Sequence, residues 1–283
     1  MGNLRRCPVN VLLTILPVIF ATALYLFCPG KQPAWAADES EDTINYAYSS
    51  WIGSGFYKIG DRTTYLLRAP FSYSLREADS DNWGLELLLP ATIGFHDYTD
   101  GQDNQATITF LPGAQFVYPL LENWWLKPFG QFGFGKDFSG SDIAWIYGAG
   151  IKSLATFDLN GSELDFGTAF TWAAQNQSGG GSDSGFSMFE IGLNSRWPTR
   201  ITVLDRKSDI NLFFVYTDFL NDLDFERAKK ENKSVQRLYK FGIALSSKEK
   251  YPILGLFDLS GGGVDVTFGK DYFGLGLTTG FPF

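Results

Sequence analysis

The stretch ELDFGTAFTWAAQ, residues 163–175, alternates between two kinds of side chain and decides the fold class. One set of alternate positions carries mostly large apolar residues, among them Phe166, Phe170 and Trp172. The other set carries small or polar residues, from Asp165 to Gln175. A period of two is typical of a β-strand whose two faces meet different surroundings. The segment is therefore predicted to be a strand.

The composition of the two faces distinguishes a membrane barrel from a soluble β-sandwich. The outer face of a sandwich is charged and polar. Here one face is rich in Gly, Ala, Ser and Thr, while the aromatic face carries almost no charge. Small residues fit a confined lumen, and an uncharged aromatic face fits lipid with interfacial girdles. The alternation recurs from Trp145, around Phe189 and around Tyr239. The sequence thus predicts an all-β protein, a transmembrane antiparallel up-and-down β-barrel in the outer membrane of a Gram-negative bacterium.

Twelve such strands are predicted, an even number, as a bacterial barrel with both ends in the periplasm requires. They are residues 51–59, 63–76, 83–97, 105–119, 124–138, 142–157, 161–177, 184–197, 209–220, 235–247, 262–270 and 272–283. If the last strand descends to the periplasm, the outward connections are those near Asp61, Asp100, Gly140, Gly180, Asp224 and Lys270. The connection from Lys248 to Ser260 is long and apolar for a periplasmic turn.

The N-terminus has the layout of a cleavable signal peptide. Two arginines at residues 5–6 precede a mostly apolar stretch over residues 9–27, and Ala34-Trp35-Ala36 supplies the small residues of a cut after Ala36. An uncleaved anchor is the competing interpretation, since a spanning helix needs about 20 residues. Helix-breaking Pro and Gly within residues 29–33 favour cleavage. The expected domains are a signal peptide at 1–36, a short N-terminal segment at 37–50 and the barrel at 51–283.

Charge and cysteine usage exclude several classes of function. Cys7 and Cys28 are the only cysteines, and both lie in the leader, so disulfides and thiolate metal sites are not expected in the mature chain. Removing residues 1–37 leaves 20 basic residues against 31 acidic ones. A net charge near −11 argues against nucleic acid as a partner. No cofactor and no metal site is predicted.

The alternation continues to the end of the sequence. From Phe273 to Phe283, alternate positions are mostly large and apolar, with glycines and a threonine between them. The aromatic last residue resembles the C-terminal signature that outer-membrane barrels present to the barrel assembly machinery. Phe281 and Phe283 are therefore expected on the lipid face as an assembly signal, and replacing or deleting Phe283 should slow assembly.

Three short motifs carry a resemblance to a known family. WIGSGFY at residues 51–57, LRAPFSY at 67–73 and FPF at 281–283 resemble the solitary outer-membrane autotransporter-like β-barrel domain family. The resemblance covers residues 46–283. It implies a twelve-strand barrel like an autotransporter translocator, standing alone without a passenger domain. It brings no catalytic residue with it.

Polar residues on the small-residue face are the candidate lumen lining. They are Lys152, Asp165, Glu190, Asn194, Arg196 and Lys240. Charges enclosed in a barrel must be paired or hydrated, so the set is either a structural salt-bridge network or a selectivity lining. Twelve strands lie between the filled eight-strand barrel and the open sixteen-strand channel. The predicted function is non-enzymatic: a narrow solute channel or an envelope-structural barrel, with no solute and no oligomeric state indicated.

Two other classes of function stay open. His96, the only histidine, lies at the outer end of a strand, where outer-membrane hydrolases place a general base. The long outward loop from Asn221 to Val235 carries four basic residues among acidic ones, which suit a surface-binding module. Its cations would meet the phosphates of lipopolysaccharide, each worth about 1 kcal/mol near an anionic surface. Outer-membrane lipid and lipopolysaccharide are the expected partners.

Two features predict how the barrel is shaped and filled. Pro70, Pro90, Pro112 and Pro128 interrupt four consecutive strands, where proline marks edges or bulges, and they predict a band of kinks. Residues 38–50 precede the first strand and span roughly 20 Å as a helix. They are either a plug in the lumen, with their acidic residues facing Lys152, Arg196 or Lys240, or a disordered periplasmic tail.

Overall fold

The computed structural model describes residues 45–59, 62–98, 104–138, 143–159, 161–178, 184–203, 205–225, 233–253 and 257–283. The predicted signal peptide, the acidic residues at 38–42 and most of the basic surface loop lie outside the described residues, and their predictions stand untested. Within the described ranges, no helix is long and apolar enough to cross a membrane.

One short helix precedes a series of antiparallel strands. The elements are α1 (Tyr46–Trp51), β1 (Ser54–Ile59), β2 (Arg62–Arg76), β3 (Gly84–Tyr98), β4 (Gln105–Phe110), β5 (Gly113–Leu121), β6 (Trp124–Asp137), β7 (Ile143–Leu159), β8 (Ser162–Gln177), β9 (Ser184–Trp197), β10 (Thr202–Val203), β11 (Arg206–Lys207), β12 (Asp209–Phe225), β13 (Lys233–Ile253), β14 (Phe257–Gly269) and β15 (Tyr272–Thr278).

These strands form a closed twelve-strand barrel, as predicted. Neighbours along the chain pair in order, and β1 pairs with β15 to close the sheet. β4 and β5 are two parts of one barrel strand, since both pair with β3 and with β6. β10 and β11 form a separate two-residue hairpin outside the barrel sheet. We call the end with the connection at residues 77–83 the turn end, and the opposite end the loop end.

The faces of the strands point as the alternation predicts. In β8, Asp165 is 4% exposed on the inner face, whereas Trp172 is 44% exposed on the outer face. Outer residues of neighbouring strands pair their rings, for example Phe132 with Trp145 at 5.7 Å between centroids. Uncharged apolar side chains facing outward around a closed sheet make a lipid-facing surface, because a barrel satisfies every backbone group internally.

Three of the four prolines lie close together near the break between β4 and β5. Pro70 of β2 lies directly opposite Pro90 of β3. Pro112 lies in the break between β4 and β5, beside Leu111, whose N–H donates to the Pro90 carbonyl. These three prolines form the predicted band. Pro128 lies outside it, four residues nearer the turn end than Phe132, whose N–H donates to Pro112.

Several strand bounds differ from the prediction. The first strand begins at Ser54 because residues 46–51 are helical. The predicted periplasmic connection from Lys248 to Ser260 is almost entirely strand, since β13 continues to Ile253 and β14 begins at Phe257. The apolar residues Tyr251, Ile253, Phe257 and Leu259 are therefore parts of the ends of these two strands. The hairpin of β10 and β11 was missed, because two-residue strands leave no alternation to detect.

The expectation that Phe281 and Phe283 continue the last strand on the lipid face is wrong. β15 ends at Thr278, and Gly280 follows with φ +133°, a conformation that side chains rarely adopt. The Thr278 hydroxyl donates to the Gly280 carbonyl and accepts from its N–H, which holds the bend. Phe273, Leu275 and Leu277 do face outward. After the bend, both terminal aromatic rings lie inside the barrel, as described below.

Candidate functional site: the occupied lumen

The helix α1 lies inside the barrel. Its residues 46–50 are all buried, and α1 packs against strands on different sides of the sheet, β3 and β4 as well as β7, β8 and β9. Asn45 begins the helix, because its side-chain oxygen accepts from the N–H of Tyr48 at 2.8 Å. Six residues make a helix that is marginal in water. Its stability therefore comes from the surrounding wall.

Two hydrogen bonds fix α1 to the wall. The N–H of Ala47 donates to Oε1 of Gln175 in β8 at 3.0 Å. The Ser50 hydroxyl donates to the Thr109 hydroxyl in β4 at 3.0 Å and is buried with it. Gln175 is two residues from the loop end of β8, so α1 occupies the loop-end half of the lumen.

Aromatic rings fill the space around the helix. Tyr48 meets the rings of Phe186 and Phe219 edge-on, with centroids 6.0 and 5.9 Å apart. Trp51 meets Phe186 in the same way at 6.2 Å. These three strand-to-helix pairs join β9, β12 and α1 in one apolar cluster. The loop-end half of the lumen is thus packed like a protein core.

Glycines on the inner wall make room for these rings. At each of five wall glycines, an added Cβ would overlap an aromatic side chain. The pairs are Gly135 with Tyr46, Gly148 with Trp51, Gly167 with Phe283, Gly192 with Phe281 and Phe283, and Gly242 with Phe213. The small-residue face recognised in the sequence is therefore the complement of the aromatic residues that fill the lumen.

The predicted lining residues Asp165, Asn194 and Arg196 come together in one polar network. Arg196 pairs with Glu163 at 2.7 Å and with Asp165 at 3.6 Å. The Asn194 amide donates to Asp165 at 2.8 Å. Asn211 of β12 accepts from Nε of Arg196 at 3.2 Å. The network lies toward the turn end and ties β8, β9 and β12 together.

The other predicted lining residues lie apart from this network. Glu190 accepts from the Thr217 hydroxyl at 3.2 Å. Lys152 donates to the main-chain oxygen of Pro282 at 2.8 Å. Lys240 shares the inner face of β13 with the buried Ala244. The predicted pairing of lumen cations with residues 38–42 falls outside the described residues.

His96 faces the lumen and is buried between two threonines. Its Nδ1 lies 3.2 Å from the Thr64 hydroxyl, and its Nε2 lies 3.2 Å from the Thr107 hydroxyl. Both ring nitrogens are thus engaged by side chains of the neighbouring strands β2 and β4. A general base needs one nitrogen directed at a nucleophile and the other held by an orienting group. The contacts of His96 link β3 to β2 and β4, and their geometry gives the hydrolase alternative no support.

Sequence reasoning missed Glu163, Asn211 and Lys127 as lumen residues. Glu163 and Asn211 lie in phase with Asp165 and Phe213 on their strands, so the alternation contained this signal. Lys127 faces inward directly opposite Lys152 in the register of β6 and β7. Its strand has aromatic residues at both parities, which hid the orientation of the strand.

Comparison with known proteins identifies the fold. No family model and no curated protein matches the sequence. Among solved structures, the β-domain of the Bordetella autotransporter BrkA superposes with a TM-score of 0.50 at 11% identity, covering 79% of this chain and 94% of that one. The translocator domain of the autotransporter NalP from Neisseria meningitidis gives a TM-score of 0.47 at 12% identity, covering 81% and 88%.

The chain therefore has the fold of an autotransporter β-domain, a twelve-strand barrel. A closed antiparallel barrel whose outer face is apolar and whose inner face is small and polar satisfies the requirements of a membrane-spanning sheet. It is an integral β-barrel of the outer membrane of a Gram-negative bacterium.

Proposed function

We propose that this chain is a closed envelope barrel, non-enzymatic and non-conducting at rest, in which α1 blocks the passage of solutes. The observation that carries the proposal is the burial of α1 between strands on different sides of the sheet. A packed lumen has no continuous water path, so solute passage requires α1 to leave. The protein would contribute a folded barrel to the envelope rather than a permanent pore.

The similarity to the β-domain of the autotransporter BrkA concerns the fold alone and is compatible with a non-enzymatic role. The partners that we propose for this barrel are outer-membrane lipid, lipopolysaccharide and the barrel assembly machinery. His96 lies between the hydroxyls of Thr64 and Thr107, an arrangement that supports a role in linking neighbouring strands.

Planar-bilayer conductance tests the proposal. The intact barrel should give little or no current, and a variant lacking residues 38–51 should give stable open-channel steps. Heat-modifiable mobility on gels verifies that both proteins are folded. Equal traces for the intact and shortened proteins would contradict the proposed blocking role of α1.

A pair of point variants provides a matched control. Tyr48→Asp places a charge among Phe186 and Phe219, which is costly in a packed apolar cluster and should release the helix. Tyr48→Phe keeps the ring and its packing. The aspartate variant should conduct and the phenylalanine variant should remain closed; a closed aspartate variant that is folded would weigh against the proposal.

A further inference from the structure

The turn-end half of the lumen holds a second segment, residues 279–283. This segment has no part in the proposed blocking of the lumen by α1. After the bend at Gly280, the Phe281 ring packs against Phe213 of β12, with centroids 6.2 Å apart. The Phe283 ring lies 4.8 Å from that of Phe281. Phe213 is four residues from the turn end of its strand, so this segment and α1 occupy different halves of the lumen.

The wall has a slot for these two rings. Gly167 of β8 and Gly192 of β9 lie directly opposite each other in the strand register, and both face the lumen. An added Cβ on either would overlap the Phe283 ring, and one on Gly192 would also overlap Phe281. Because neither glycine has a side chain, the two leave a gap in the inner layer of side chains, and this gap reaches down to the backbone. The gap accepts flat rings.

Two cations hold the backbone of the same segment. Lys152 donates to the main-chain oxygen of Pro282 at 2.8 Å, and Lys127 donates to that of Phe283 at 3.3 Å. The two lysines lie opposite each other on β7 and β6, an arrangement in which like charges repel. Main-chain oxygens from the tail offset this repulsion, as do the carboxylates of Glu86 and Glu190, which act electrostatically on Lys152.

The segment makes no strand pairing. Pro282 has no N–H to offer a sheet, and the polar contacts of the segment to the wall include two main-chain oxygens that accept hydrogen bonds from lysines. It is held by ring packing and by charge-assisted hydrogen bonds to the backbone. Proline also limits the conformational entropy that a peptide loses on binding.

We propose that the turn-end half of the lumen is a peptide-binding site for an extended aromatic–proline–aromatic segment, which residues 281–283 fill within the same chain. The glycine slot and Phe213 select the rings, and Lys152 and Lys127 bind the main-chain oxygens of the proline and of the second aromatic residue. An added peptide of the same chemistry competes with the tail for this site. The proposal does not depend on whether α1 blocks conduction, since it concerns a different half of the lumen.

Peptide binding to a barrel shortened after Thr278 tests the proposal. Fluorescence anisotropy with labelled Thr-Gly-Phe-Pro-Phe should give saturable binding to the shortened barrel, and binding at least about tenfold weaker to the intact barrel, whose tail occupies the site. The control peptide Thr-Gly-Ala-Pro-Ala should not bind. Equal binding of both peptides, or equal binding to the intact and shortened barrels, would overturn the site.

Two further variants keep the test decisive. If the shortened barrel fails to fold, Phe281→Ser with Phe283→Ser in the full-length chain removes both rings and vacates the slot at unchanged length. Lys127→Met with Lys152→Met should weaken peptide binding about tenfold in either background, as expected for the loss of two charge-assisted hydrogen bonds. Folded protein that binds no peptide, or binds it with the same affinity after loss of both lysines, refutes the proposal.

Discussion

Arg196 stabilises the barrel by neutralising two acidic side chains inside it. It pairs with Glu163 and Asp165, and the latter is 4% exposed. Replacing Arg196 with Met leaves both carboxylates without their cation. We expect a loss of about 2 kcal/mol in the free energy of unfolding, less than for a fully buried pair because the guanidinium is partly hydrated.

Arg237→Met is the matched control for this prediction. Its pair with Asp218, at 3.3 Å, is between more exposed side chains at the other end of the barrel. The expected loss is below about 0.5 kcal/mol. Urea unfolding in lipid vesicles measures both variants; equal losses would show that the inner network contributes no more than a surface pair.

His96 is expected to matter for stability and not for hydrolysis. His96→Ala removes its contacts with Thr64 and Thr107 and leaves two buried hydroxyls without them, at a cost of about 1 kcal/mol or more. Release of fatty acid or peptide products should be the same for both proteins. A drop in such activity, with folding intact, would restore the hydrolase alternative.

At the residue scale, the sequence alone predicted the face on which a side chain lies better than it predicted the residues that this side chain contacts. Alternation placed Asp165, Asn194 and Arg196 on the inner face, and the structure brings these three side chains into contact with one another. It did not supply Asn211, which belongs to a different strand, because strand register is fixed by pairings between distant segments. Which charged residues contact one another inside a barrel therefore depends on the register between strands, and the sequence of one strand does not determine that register.

At the scale of elements, the C-terminal segment has two possible roles that must be distinguished, an assembly signal and a packing element inside the lumen. The barrel assembly machinery meets the chain before the barrel closes, so the position of Phe283 inside the finished lumen leaves its predicted role as an assembly signal untested. Phe283→Ala separates the roles. If Phe283 is a signal, the yield of folded barrel in cells should fall while refolding into detergent remains nearly unchanged.

Heat-modifiable mobility gives both yields for Phe283→Ala. Phe281→Ala is the internal comparison, because it removes a neighbouring lumen ring and leaves the final aromatic residue in place. Parallel losses in cells and in detergent would mean that Phe283 acts only through packing. Unchanged yield in cells would count against the signal.

Among the described residues, β1 makes short pairings with both of its neighbours, five residue pairs with β2 and six with β15 at the closing seam. β1 and β15 share six residue pairs, whereas β7 and β8 share sixteen. Local opening requires fewer broken contacts where the pairing is short. Amides of residues 54–59 and 272–277 should exchange with deuterium faster than those of 144–159 in vesicle-embedded barrel. Slower or equal exchange at the seam would contradict this ranking.

The elements that sequence analysis missed are those without long alternation. α1 has only six residues, and its last residue, Trp51, was assigned to the first strand because Trp also suits a strand. β15 was extended through Phe283 because the spacing of aromatic residues continues past Gly280, whose backbone conformation a pattern of side chains does not reveal. The strands β7, β8 and β9 were found within two residues at each end, whereas β13 continues six residues past its predicted end.

At the scale of the whole molecule, the sequence was sufficient for the architecture. Twelve strands, closure and the direction of the two faces follow from alternation and from face composition, and all three are confirmed. The sequence predicted the contents of the lumen less completely than it predicted the architecture. A helix at residues 38–50 was predicted as one of two alternatives, and its residues 46–50 are helical and buried inside the barrel.

A designed disulfide tests most directly that the lumen of the folded barrel contains α1. The hydroxyl oxygens of Ser50 and Thr109 lie 3.0 Å apart, a separation that a disulfide between cysteines at these positions can span after small side-chain adjustments. The mature chain is expected to contain no other cysteine. Ser49→Cys with Thr109→Cys is the control, since the Ser49 hydroxyl instead contacts the Asn45 carbonyl.

The measurement is the mobility of outer-membrane samples on non-reducing gels after mild oxidation. A barrel that holds α1 in its lumen should yield an intramolecular link between positions 50 and 109 that reducing agent reverses, and much less link for the 49–109 control. Folded barrel that forms no 50–109 link, or links both pairs equally, would contradict a helix fixed inside the barrel.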